Sequence, residues 1–518
     1  MTTFLRPRLS SFFSSFSHWR TVLECLVVFA VFFTGLALIQ FSTPDLPDND
    51  GFYHIKLAEL MRTEGLRPSF PWLPLTILNA REYSDHHFLF HAALIPFTLG
   101  DLRLGAKWAA VSFASLAFFT IWWLLRSQRV PFAFLWALGL LAVSEAFLYR
   151  MSITRAQSLS LAVLALGLHL CFTGKYARLA PLAFIYVWLY DAFPLLFAFA
   201  LIYVLSVGLT ERRLELRPLF YTGLGTVLGL LINLYFPHNL IFIYRHLLPK
   251  LSEATAVSVG SEWYPYNTAQ LLGNSLFALA AFVSGVVALG LQGRRMDTRT
   301  ATSLFAALLF GLMLFQARRF IEYFPPFALI FAAFAWTPLI ESFTGGGQSS
   351  REAAKPVPDY GRPWRSWMVG GLLALILIPG IWLTLRAAID SIQGSKPYQR
   401  YAAASAWLSS NTPAGARVFQ TDWDDFPRLF FYNTHNTYLV GLDPTYLQLY
   451  NAELYDRWVE ITDGKVSQPS KDIIARFGSS YVITDLAHKA FLAKANDDPG
   501  LEKVYEDEEA VVYRVVGP

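Results

Sequence analysis

Apolar runs recur along this 518-residue chain at close to the length, roughly 20 residues, that a helix needs to cross the hydrocarbon core of a bilayer. About eleven stand out, near 21–41, 104–125, 131–149, 156–173, 179–191, 193–210, 218–236, 270–291, 301–316, 319–340 and 366–387, several of them short or interrupted. Charged residues are 15% of the chain and apolar residues 54%, against roughly 25% charged in an ordinary soluble protein. A water-facing globule of this size, a disordered chain and a nucleic-acid-binding surface are all excluded. The net charge of +4 hides a split: residues 395–518 hold 12 Lys/Arg and 17 Asp/Glu, leaving 30 and 21 before them. Cys25 and Cys171 both lie in apolar runs, so neither a disulfide framework nor a cysteine-based zinc site is expected.

Lys and Arg gather in cytoplasmic loops of membrane proteins. With residues 1–20 cytoplasmic (Arg6, Arg8, Arg20), alternate loops are also basic: Arg126/Arg129, Lys175/Arg178, Arg212/Arg213/Arg217, Arg294/Arg295/Arg299 and the Arg351–Arg365 stretch. The last of these, with Gly345-Gly346-Gly347 before it, reads as a flexible linker. The first span reads as a retained signal anchor, since no small-residue cleavage site follows it, and no internal repeat is detected. The polar loops 42–103 and 237–269 then fall outside, with everything after residue 388. The apolar run His86–Leu99 is too short to span and is placed at the outer interface. We expect a transmembrane domain over 21–394 and a soluble external α/β domain over 395–518. In the latter, a helix at Tyr398–Ser409 precedes strands and helices at Ala416–Thr421, Thr437–Leu442, Tyr446–Ile461, Lys471–Phe477 and Tyr481–Asp485. A hairpin of Glu502–Glu506 and Ala510–Val516 ends it.

The first outer loop carries Asp45, Asp48 and Asp50 ahead of an amphipathic helix over Gly51–Thr63. Asp50 suits the N-cap of that helix; a carboxylate there also suits divalent-cation binding or general-base work. His54 falls one turn later on the same face, followed by Lys56. Asp85-His86-His87, with His91, offers metal-ligand chemistry without a recognised zinc spacing. Arg150 and Arg155, in Tyr149-Arg150-Met151-Ser152-Ile153-Thr154-Arg155-Ala156-Gln157, are costly at a membrane boundary unless they meet phosphates, carboxylates or headgroups, and a lipid phosphate is a natural bidentate partner. Asp191 closes the fifth run, Glu262 and Trp263 lie in the long later loop, and Arg318, Arg319 and Glu322 open the tenth run.

This arrangement resembles the GT-C superfamily of membrane glycosyltransferases, and within it the catalytic subunit of oligosaccharyltransferase. The local match is Asp50-Gly51-Phe52-Tyr53-His54-Ile55-Lys56 against that family's Asp-Pro-aromatic-aromatic-Asn-Tyr-Arg. The resemblance implies a catalytic or metal-binding Asp50, Glu262 beside metal and acceptor, and Arg319 on the donor phosphates. Thr421-Asp422-Trp423-Asp424-Asp425-Phe426 faintly resembles the Trp-Trp-Asp-Tyr-Gly acceptor motif, most of which is lost. Where the family carries Asp-x-Glu or Asp-x-Asp in its second outer loop, this chain has Arg155-Ala156-Gln157.

The expected function is inverting transfer of a sugar from a polyprenyl-phosphate-linked donor to a glycan, lipid or protein acceptor, outside the cytoplasmic membrane and without nucleic acid. Asp50, Asp48, His54 and Glu262 form the expected catalytic group. Arg150, Arg155, Gln157, Trp263, Arg318, Arg319, Asp191 and Lys56 are expected to bind substrate. Mg or Mn would fall to Asp50, Asp85, His86 and Glu262. A transporter or flippase of a lipid-linked glycan and an inactive scaffold of the same fold are the alternatives.

Overall fold

Helices that cross a bilayer must satisfy every backbone polar group internally and leave an apolar surface outward. The computed structural model describes residues 6–252, 260–293, 295–345 and 363–516, with side chains from residue 19 onward outside 247–252 and 363. The Gly345–Arg365 linker lies for the most part outside the described residues, as do Arg294 and residues 253–259 of the loop 237–269. Seven described helices are long and apolar enough to cross a membrane: Trp19–Gln40, Leu102–Ser127, Pro194–Glu211, Thr268–Gln292, Thr298–Gln316, Phe324–Thr344 and Trp364–Gln393. That is the make-up of a multi-pass membrane protein. The last of them leaves Trp367, Leu375, Ile376 and Ile378 exposed, a surface suited to lipid rather than water.

The other four expected spans are shorter or broken. Residues 131–149 fold as Ala133–Leu141 and Glu145–Met151, bent by 86°. The bend falls where Ser144 leaves the helix and caps the next one by accepting from the Phe147 N–H. Gln157–Phe172, Tyr176–Leu189 and Arg217–Leu231 are helices of fewer than 18 residues. The segment 217–231 packs closely on 179–189 because Gly225 and Gly229 carry no side chain: a Cβ at Gly225 would lie 2.0 Å from the Ala180 carbonyl oxygen. His86–Leu99 forms Phe88–Leu94 and a 3₁₀ turn Ile95–Thr98, short as the sequence predicts.

The helix expected at Gly51–Thr63 spans Asp50–Glu64, but it is not amphipathic. Phe52, Tyr53, His54, Ile55, Leu57, Ala58, Leu60 and Met61 are all buried, because a second layer covers the face that the sequence assigned to water. Asn49, not Asp50, takes the cap position, with no side-chain capping bond. The loop before it is pinned from below. Buried Lys107 donates to the carbonyls of Thr43 and Asp45, and Tyr149 Oη donates to that of Pro47.

The covering layer comes from the C-terminal residues. Strands β1 (Arg417–Gln420), β2 (Thr437–Tyr438), β3 (Tyr481–Asp485), β4 (Leu501–Glu506) and β5 (Ala510–Val515) form one sheet in the order β2-β1-β3-β5-β4. β1 is parallel to β2 and β3, while β5 is antiparallel to β3 and β4. The helix Phe426–Tyr432 seats this layer on Asp50–Glu64. Phe52 and Phe431 meet edge to face at 5.2 Å, and Arg428 Nε donates to Asn49 Oδ1 at 2.7 Å. Both cysteines are free.

The two ends of the helix bundle differ. At one end Arg126 pairs with Glu24, Arg299 donates to the Gln128 carbonyl, and Thr298 bonds Glu211. These are turns that the sequence marks as basic. At the other end a cavity opens under the C-terminal layer.

Candidate functional site

The chain emerges from its first helix into the loop Pro44–Asn49, from the bent pair into Ser152–Ala156, and from Thr298–Gln316 into the turn Arg318–Glu322. These exits, the 3₁₀ turn Ser261–Trp263 and the C-terminal layer enclose a cavity of about 560 Å³. Of the expected site residues, Asp48, Asp50, His54, His86, Arg150, Arg155, Gln157, Asp191, Glu262, Trp263 and Arg319 line it. Three do not. Lys56 pairs with Glu59 at 2.7 Å one turn along its own helix. Arg318 turns to the Pro265 carbonyl and the Tyr266 ring. Asp85 is buried behind the wall, with its Oδ2 2.8 Å from His91 Nδ1.

At the centre is Arg155. Its Nε and Nη2 reach the two oxygens of Asp48 at 2.6 and 3.1 Å. The same Nη2 lies 2.8 Å from Asp50 Oδ2, and Nη1 lies 3.3 Å from Glu262 Oε2. Arg150 bonds Glu262 Oε2 at 2.7 Å through Nη1 and buried Glu322 through Nε at 2.7 Å. The phosphate partner foreseen for these two arginines therefore meets guanidiniums already engaged by carboxylates. Arg319 differs. It stacks over Trp263 at 4.1 Å and donates to Tyr190 Oη at 3.1 Å.

Burial sets the acidity of the wall, and neighbouring charges adjust it. Burial pushes the Asp50 carboxyl up to about 7; Arg155 opposes this, and Asp48, Asp424 and Glu262 reinforce it. Asp424 is raised to about 6, first by burial and then by Asp48 and Asp422. Burial acts on Glu262 too, but the guanidiniums of Arg150, Arg155 and Arg319 outweigh it and hold that acid well below the usual carboxylate range. Asp50 keeps 24% of its side-chain surface open to the cavity.

A second feature is a chain of bonded rings. His54 Nδ1 lies 2.7 Å from His91 Nε2, and Asp85 closes the far side. Burial holds His54 well below its ordinary value, so the ring on the cavity wall is neutral. Asp85, expected as a metal ligand, instead orients this ring through His91. His87, next to His86, also lines the cavity, with Tyr190, His246, Asp443 and Tyr446, which no sequence motif marks. His246 Nε2 lies 3.3 Å from Asp191, and Tyr446 Oη lies 3.1 Å from His246 Nδ1. One local signal points to the last group: Leu442, before Asp443-Pro444, has a φ of 67°, a strained value for a branched side chain.

No family model matches the chain, and none of the curated proteins matches it. Solved structures do. ArnT from Cupriavidus metallidurans bound to undecaprenyl phosphate is similar over 96% of this chain and 98% of its own, at 16% identity and a TM-score of 0.58. The Archaeoglobus fulgidus oligosaccharyltransferase in complex with Zn and sulfate matches over 95% of this chain and 73% of its own, at 13% identity and a TM-score of 0.61. The arabinofuranosyltransferase AftD from Mycobacteria covers 95% of this chain with 40% of its own, at 15% identity and a TM-score of 0.56. The fold is GT-C. At these identities the likeness is one of fold.

A divalent cation in this cavity would need converging carboxylates with oxygens to spare. Asp48, Asp50 and Glu262 do converge, but on Arg155. Among the described residues no group of three His, Cys, Asp or Glu is arranged to hold a metal ion. The donor set fits a guanidinium and does not fit Mg or Mn.

Proposed function

We propose that the protein is a glycosyltransferase that moves a sugar from a polyprenyl-phosphate-linked donor to an acceptor hydroxyl. One observation carries this reading: Asp50, Arg155, Glu262 and Arg319, far apart in sequence, share one cavity at one end of an apolar helix bundle of GT-C fold. ArnT, similar in fold and length, was solved with undecaprenyl phosphate. A prenyl chain lies along the apolar helices, with its phosphate at the cavity.

Each residue then has a task. Asp50, with a carboxyl near 7, takes the proton from the acceptor hydroxyl as its oxygen attacks the anomeric carbon. The bond from that carbon to the phosphate oxygen breaks on the opposite face, and the sugar inverts. Arg319 meets the departing phosphate. Trp263, stacked on that guanidinium, fixes its plane. Arg150 and Arg155 hold Glu262 and Asp48 in place rather than binding phosphate themselves. His54 offers a neutral ring nitrogen to a sugar or acceptor hydroxyl.

Basic turns gather at the end of the bundle opposite the cavity, as the positive-inside pattern requires of the cytoplasmic side. This supports a cytoplasmic-membrane protein with residues 1–20 inside, a transmembrane domain over 21–394 and an external domain over 395–518. Acceptors in reach are a glycan, a lipid or a protein. The test is sugar release: full-length protein in liposomes with a radiolabelled polyprenyl-phosphate sugar frees or transfers the label. A transporter of the same lipid moves it across the bilayer intact, and a scaffold does neither; either outcome removes the proposal.

A further inference from the structure

Cations in a site crowded with carboxylates fall into two classes, bound metal and resident side chain. We infer that the Arg155 guanidinium is the built-in cation of this cavity, seated among Asp48, Asp50 and Glu262, so that the site works without a divalent metal. The catalytic half of this inference rests on the glycosyltransferase reading; the cation half does not.

The geometry is that of a guanidinium cradle. Arginine offers five N–H donors in a fixed planar fork, and here all three nitrogens are engaged: Nε and Nη2 on Asp48, Nη2 also on Asp50, and Nη1 on Glu262. The four side chains share one level of exposure, 19–24%, so the cluster forms the cavity wall rather than a surface ion pair. The backbone fixes the guanidinium's origin, with the Arg155 N–H on the Ile153 carbonyl at 2.9 Å and Thr154 bonded to Ala106. A metal of charge +2 would need these carboxylate oxygens at its own short coordination distances. The guanidinium stands between them, and it cannot give up its proton to make way.

The consequence concerns charge. One guanidinium among three carboxylates leaves the cluster more negative than a divalent ion would, and Asp50 keeps the basicity that metal ligation would remove. The leaving phosphate is then met by Arg319 and not by a metal.

Binding of Mn²⁺ alone, followed by the electron paramagnetic resonance of the free ion on full-length protein in detergent, tests the cation half without turnover. Wild type takes up no stoichiometric Mn²⁺. Arg155→Ala, which leaves three carboxylates facing a vacant centre, gains about one Mn²⁺ per chain with a Kd on the order of 10⁻⁴ M, and Asp48→Asn added to it abolishes that gain. Stoichiometric binding by wild type, or a folded Arg155→Ala that gains none, overturns the inference. Should Arg155→Ala fail to fold, the wild-type titration still decides. In the transfer assay, wild-type activity survives EDTA; loss on chelation with recovery on Mn²⁺ overturns the catalytic half. A protein with no transfer at all removes the glycosyltransferase reading and leaves the Mn²⁺ result standing.

Discussion

Asp50 and Glu262 are both carboxylates on one wall, yet their neighbours drive them apart. Three arginines hold Glu262 ionised, while burial and three acids push Asp50 up to about 7. A base must be deprotonated to act, so kcat/KM for the acceptor should fall as pH drops through about 7 and level off above it. A profile flat from pH 5 to 8 removes Asp50 as the base. Arg319, held by an aromatic face and a phenol, is the cation left to the phosphate. Arg319→Ala should lower kcat/KM for the donor by roughly 10- to 100-fold, the worth of a charge-assisted bond of about 1.5–3 kcal/mol, with a smaller loss in Arg319→Lys. Equal donor kinetics in Arg319→Ala contradicts that role. The acids and arginines were legible in the sequence because ionisable side chains at the ends of apolar runs are conspicuous. Their partners were not: that Arg155 would face Asp48 rather than a phosphate depends on how two loops 107 residues apart meet. His246 and Tyr446 meet across 200 residues, a contact that no local spacing encodes.

Helices illustrate a different limit. Residues 217–231 and 179–189 were legible as apolar runs, but not as a pair in near backbone contact. Gly225→Leu should lower the apparent Tm in detergent, since over-packing costs about 1–3 kcal/mol and here the side chain would meet backbone. Gly290→Ala, on a helix face with nothing within 4 Å, should leave the Tm unchanged or raise it. The reverse order contradicts the packing described. The helix at Asp50–Glu64 is legible to within a residue at each end, but its burial is not, because the covering helix Phe426–Tyr432 comes from the far end of the chain. Arg428 joins the two, bonding Asn49 and the carbonyls of Pro397 and Lys396. Arg428→Met should destabilise the protein by about 2–4 kcal/mol, read as increased protease sensitivity of the C-terminal residues. Unchanged cleavage sinks this account of docking.

For the whole molecule, the strongest signals were collective ones. The charge deficit announced a membrane protein, the alternation of basic turns separated the two ends of the bundle, and the strand pattern after residue 416 foreshadowed the five-stranded sheet. Span number was less legible, because 131–149 breaks where Ser144 caps a second helix and other runs form helices of fewer than 18 residues. What the fold adds is convergence: exits of several helices and a covering layer enclose one acid- and arginine-lined cavity. The most direct measurement is sugar transfer from a polyprenyl-phosphate donor by Asp50→Asn in liposomes, with donor binding followed on the same preparation. Donor binding near that of wild type with transfer reduced to background is the predicted result. Transfer at the wild-type rate by a folded Asp50→Asn would contradict the account.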